Sequence, residues 1–278
     1  MKNQACSFFK SAPRRAVCIV LWLAFAAATS WAGPLIFTGS SGYREATLKF
    51  EMVGSQLWIT LSNTSETGAY SLTDMLGGVF FDIANDPILT PVWARVDTGS
   101  CLINPGDVGC SSPAPYPTDP GYRDIGAEWA YLQYASGSPS QVLTTGQRYG
   151  ITAVGFGLDG TSVQFDTDPT HNLGGPTSID GGDFALAPKG GIPTPANGHF
   201  NGGLVAKAPF IMSSAVFAFT PENGFDLATA IIGNIRFQYG TDLSEMSIPW
   251  DPVPEPATMA LIGGGLVLLG FLRRRVAR

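Results

Sequence analysis

Between residues 46 and 53, Leu48, Phe50 and Met52 alternate with Thr47, Lys49 and Glu51. Between 56 and 62, Leu57, Ile59 and Leu61 alternate with Trp58 and Thr60. A period of two places each apolar set on one face of a strand. Only Gly54-Ser55 separates the two runs, which predicts a hairpin with glycine as its first turn residue. Similar runs predict strands over 78–83, 128–134, 149–156, 210–220 and 231–239. No stretch sustains helical spacing over three turns. Short strands punctuated by Gly and Pro loops predict an all-β, antiparallel sandwich of jelly-roll-like type. The first hairpin has no complementary apolar face of its own, and the strands over 210–239 are expected to supply one within a single body.

Both ends depart from this pattern. Residues 1–15 carry Lys2, Lys10, Arg14 and Arg15 and no acid; residues 16–28 are uninterruptedly apolar; Ser30 and Ala32 then form a small-x-small site before Gly33. Basic, apolar and small-residue segments in that order predict a secretory signal peptide over 1–32, cut between Ala32 and Gly33. That assignment brings in an export translocon and a signal peptidase as partners.

At the other end Pro252-Val253-Pro254-Glu255-Pro256 is stiffened by three prolines, each fixing φ and biasing the residue before it. Residues 257–272 are apolar and contain Gly263-Gly264-Gly265; Arg273, Arg274, Arg275 and Arg278 follow. As a helix the run spans roughly 24 Å, short against a hydrocarbon core of about 30 Å. The arginines favour the cytoplasmic side. The expected topology is body outside, tail inward.

The order Pro254-Glu255-Pro256, short apolar helix, Arg cluster resembles the PEP-CTERM sorting signal of bacterial surface proteins, over residues 252–278. The resemblance implies recognition and cutting near the Pro-Glu-Pro segment by exosortase, a membrane transpeptidase-like enzyme. It further implies a transient inner-membrane anchor, then delivery to the cell surface or beyond. Trp129-Ala130-Tyr131, Phe225-Asp226-Leu227, Phe237-Gln238-Tyr239-Gly240-Thr241 and Leu243-Ser244-Glu245 are similar to segments of exosortase-dependent surface proteins, a likeness that implies a β-rich body and no reaction.

Charge narrows the partners. Residues 33–251 hold 8 Lys+Arg against 21 Asp+Glu, a net of −13. Such a body repels nucleic acid and anionic lipid. Only 14% of the chain is charged, and 34 Gly with 21 Pro exclude a long coiled coil. The 45% apolar content excludes global disorder.

Candidate chemistry is sparse. Cys101 and Cys110 flank a turn-rich loop and are the cysteines left in the exported body, which predicts a disulfide in an oxidising compartment. Asp97-Thr98-Gly99 matches an aspartic-protease triplet, but no second triplet occurs, so a plain turn is expected. The two histidines, His171 and His199, lie in Gly/Pro loops. Asp166, Asp168, Asp180 and Asp183 are the candidate calcium ligands, although no twelve-residue calcium loop is present. Gly155-Phe156-Gly157 followed by Gly160 lacks the flanking unit of a nucleotide fingerprint. Glu128 beside Trp129 is the best pairing for sugar chemistry.

Together these features predict a structural or adhesive surface protein with no catalytic residue and no required cofactor, meeting extracellular polysaccharide or neighbouring proteins. The alternatives are a secreted carbohydrate hydrolase and a calcium-dependent carbohydrate-binding module.

Overall fold

The computed structural model describes residues 33–110, 124–126, 128–133, 145–154, 163–165, 182 and 184–250. The chain divides into two units, residues 1–33 and 34–278. The described fold belongs, Gly33 aside, to the second.

The predicted hairpin is present as β2 (Arg44–Val53) and β3 (Gln56–Asn63). Their register closes at Val53 opposite Gln56, and Gly54 sits at φ +63°, where a side chain would be strained. β1 (Leu35–Ser41) pairs with β2; β12 (Ser214–Pro221) pairs with β3 and with β5 (Leu89–Val96). The first sheet therefore runs β1-β2-β3-β12-β5, antiparallel throughout.

The second sheet is centred on β4 (Leu76–Ile83). β8 (Tyr149–Thr152) pairs with it and carries β7 (Ala130–Gln133), which pairs with β9 (Val163–Gln164). β13 (Ile232–Tyr239) also pairs with β4 and carries β14 (Ser247–Pro249). β10 (Leu186–Ala187) joins β4 to β11 (Phe210–Met212), and β11 pairs with β6 (Leu102–Ile103). The β10–β11 pair is parallel, a departure from the expected antiparallel pattern. Two short helical elements are described, a 3-10 turn over Leu72–Asp74 and α1 (Gly202–Ala206); Asn201 caps α1 by accepting from Gly203 N–H.

The run over 210–220, expected as one strand, is two. Ser213, at φ +74°, breaks it. Its N–H donates to Ala187 O in the second sheet and its carbonyl accepts from Asn63 N–H in the first. The halves on either side of Ser213-Ser214 are both apolar because both are buried, in different sheets.

One apolar cluster joins the sheets. Phe50 of β2 meets Phe81 of β4 edge-on at 5.3 Å, and Phe81 stacks on Tyr149 at 5.4 Å. Trp129 meets Phe217 at 4.9 Å, and Tyr131 meets Phe219 at 4.8 Å. The run over 210–239 covers the first hairpin only in part: β13 lies in the opposite sheet, whereas β12 extends the hairpin's own sheet.

A buried carboxylate ties β2 to the loop before β4. Asp74 accepts from Tyr43 Oη at 2.8 Å, Arg44 Nη2 at 2.7 Å and the backbone N–H groups of Tyr70 and Ser71 at 3.0 and 3.1 Å. Its own carbonyl accepts from the buried Asn63 amide at 3.1 Å. Removing the carboxylate takes the ion-pair partner from Arg44 and the acceptor from two backbone donors in a partly buried site. Asp74→Ala is expected to cost about 3–5 kcal/mol, measured as a urea midpoint shift. A cost below about 1 kcal/mol would show the network to be solvated.

Candidate functional site

The last hairpin of the body determines where the tail leaves it. Gln238, fully buried on β13, donates its side-chain amide to the carbonyls of Tyr239, Asp242 and Met246 at 2.8, 3.0 and 3.3 Å. Gly240 has φ +88°, and a Cβ there would collide with the Glu245 carboxylate. That carboxylate accepts from the N–H groups of Thr241 and Asp242. The segments 237–241 and 243–245 therefore build this one turn.

β14 returns along β13 with Phe237 opposite Ile248, and Ile248 is buried. A Cβ on Gly39 would lie 2.8 Å from Pro249 O and 2.9 Å from the Phe237 ring, so β1 needs glycine at this crossing. Trp250 closes the body. Its N–H donates to Ile235 O at 2.9 Å, and its ring meets Phe37 of β1 edge-on at 5.2 Å. Phe37 in turn meets Phe50 at 5.8 Å. Pro254 is four residues past Trp250, so covalent reach holds it within about 14 Å of that anchor.

The predicted disulfide is formed between Cys101 and Cys110, with Cα atoms 5.7 Å apart. It closes the loop just after β5. Met212 N–H donates to Cys101 O at 2.8 Å, tying that loop to β11. Closing ten residues contributes about 2–3 kcal/mol in the chain-entropy model. Cys101→Ser with Cys110→Ser should lower the stability by that amount, read from a denaturant midpoint; an unchanged midpoint would contradict a bond in the exported protein.

Asp97-Thr98-Gly99 is a turn, as expected. Thr98 N–H donates to Asp97 Oδ1 at 2.7 Å, Ser214 Oγ donates to Oδ2 at 3.0 Å, and Ser100 N–H donates to Asp97 O at 3.1 Å. Gly99 completes it at φ +88°. Trp129 is fully buried against Phe217, which makes it a core residue and removes it as a sugar-stacking platform. Glu128 is buried beside it. His199 is exposed, and its N–H donates to Asn197 Oδ1 at 3.0 Å.

Ala32, Pro254, Glu255, Pro256, Arg273, Arg274 and Arg275 lie outside the described residues, as do His171, Asp166, Asp168, Asp180, Asp183 and 155–160. Among the described residues no cluster of three or more His, Cys, Asp or Glu could hold a metal ion, and no helix is long and apolar enough to cross a membrane.

Two features escaped the sequence. One is an open cavity of about 210 Å³ between Ile83–Pro87 and Glu222–Ile231. Its acids are Glu222 and Asp226, and Asp226 Oδ1 accepts from Ala228 N–H at 3.0 Å, which caps the local turn. The other is the outer face of the first sheet. Trp58 was legible there as a polar-side position, but its partner Trp93 lies on β5, which the sequence did not predict.

Against known families, the model for the PEP-CTERM protein-sorting motif matches residues 252–276. The match begins two residues after Trp250 and covers the tail alone. It implies export, a membrane-anchored C-terminal tail and exosortase-dependent processing. No curated protein and no solved structure matches the chain.

Proposed function

We propose that this chain, which ends in a PEP-CTERM protein-sorting motif, is a surface or extracellular-matrix protein of structural or adhesive type. In this reading the body is a jelly-roll-like β-sandwich that performs no catalysis. Signal peptidase removes residues 1–32, and exosortase acts at Pro254-Glu255-Pro256. The observation that carries the proposal is the sorting motif directly following a strand that is docked and capped by Trp250. A tail pinned to the rim of a folded body is suited to hold that body at the membrane until it is cut. The acidic composition of residues 33–251 supports a soluble destination away from anionic lipid.

The test is a deletion strain of the producing cell. Without the chain, cells under shear should shed more of their extracellular matrix, and expression of the full chain should restore retention. Equal retention in both strains counts against an adhesive role. A secreted hydrolase is the second reading, favoured by the cavity that carries Glu222 and Asp226.

A further inference from the structure

The first sheet buries one face in the core and presents the other outward. On that outer face the register aligns Glu51, Trp58, Ala218 and Trp93 in one row across β2, β3, β12 and β5. The adjacent row is Lys49, Thr60, Val216 and Arg95. Ala218 is fully buried although it points away from the core, because Trp58 and Trp93 close over it with ring centroids 5.1 Å apart. The β5–β12 ladder slips at Ala218/Phe219. Such a bulge re-aims side chains, and here the strand beyond it carries Trp93 and Arg95 together on the outer face. Arg95 lays its guanidinium 4.6 Å from the centre of the Trp93 ring. Trp58 Nε1 donates to Gln56 Oε1 at 3.2 Å. Both tryptophans are half-buried and meet edge-on, their planes at 78°.

From this arrangement we infer that the outer face around Trp58 and Trp93 is a binding platform for an uncharged polysaccharide of β-linked pyranose rings. The inference deepens the adhesive role proposed above and relies on it for the ligand's presence outside the cell. An aromatic ridge on a solvent-facing sheet is costly to leave bare, and patches of this kind mark binding surfaces. The axial C–H groups of a pyranose carry partial positive charge and match the negative face of an indole. Its equatorial hydroxyls can both donate and accept. Around the rings stand Gln56, Glu51 and Lys49, the last two paired with each other at 2.9 Å. Charge selects the occupant: that pair neutralises itself, the Arg95 cation lies against the Trp93 ring, and a body of net −13 repels polyuronates, nucleic acid and a second copy of itself, whereas a neutral glycan meets no such barrier.

The test uses the full chain purified in detergent, so that its result does not depend on sorting. Binding is measured by co-sedimentation with amorphous cellulose and by tryptophan fluorescence with soluble cellohexaose, with alginate as the charged comparison. The wild-type chain should sediment with cellulose and bind alginate less. Trp58→Leu and Trp93→Leu, which keep apolar cover over Ala218 but lose the ring faces, should each weaken binding about tenfold with the melting temperature little changed. Trp250→Phe, at the tail junction, should leave binding intact and serves as a control for nonspecific aromatic loss. The inference is overturned by absence of cellulose binding, by equal binding of both Leu variants, or by a preference for alginate.

Discussion

A chain carrying Glu255→Gln together with Pro254→Ala is expected to accumulate almost entirely as uncut precursor in the inner membrane. The Pro-Glu-Pro segment concentrates three recognisable properties: an extended backbone fixed by proline, a missing N–H at each proline, and a single carboxylate between them. The double variant removes the charge and one conformational lock without altering the apolar run or the arginines. Anchoring therefore persists while recognition is lost. Immunoblots of membrane and extracellular fractions check this; wild-type maturation of the variant would mean that the motif is not what the processing enzyme reads. The folded body is a fixed feature of the encounter. Trp250 is held by Ile235 O and Phe37, so the enzyme meets the motif within a few residues of a rigid rim.

The second large effect is alkaline unfolding. Tyr131, Tyr149 and Tyr239 are at most 3% exposed. Burial in each case pushes the phenol well above its ordinary value near 10, and the Tyr131–Tyr149 interaction adds to the shift at Tyr131. Unfolded, these phenols ionise near pH 10; folded, they stay neutral to higher pH. The native state then binds more protons than the unfolded state, so this contribution is complete below pH 10 and is lost as pH rises through the folded values. Each of the three therefore removes stability as pH rises above 10. The tyrosinate absorbance of these three side chains should therefore rise together with the loss of tertiary signal. Smooth titration of all eight tyrosines with the fold intact would contradict their burial.

The hairpin of β2 and β3 was readable because one face is core and the other solvent, so alternation survives in the sequence. Strand β4 was readable for a different reason: it is buried on both faces, and Val79, Phe80 and Phe81 form a continuous apolar run. β1 was not readable. Gly39, Ser40 and Ser41 resemble a loop, yet Gly39 is small because Pro249 O and the Phe237 ring crowd it. β5 was hidden by Pro91, which an edge strand tolerates. The break at Ser213 was marked only by the two serines Ser213-Ser214 between apolar runs, and the change of partner strand that causes it is not written locally. The same limit applied to the outer face. Trp58 and Trp93 are 35 residues apart in the chain, and nothing in either neighbourhood announces that both flank Ala218. By contrast the sorting motif was legible, because its match over residues 252–276 rests on residue order alone.

The most direct measurement is the intact mass of the protein recovered outside the inner membrane. The expected species starts at Gly33, contains the Cys101–Cys110 bond and has lost the apolar run with its arginines. A protein found only in the inner membrane, with Arg278 still at its end, would contradict a tail that serves as a temporary address.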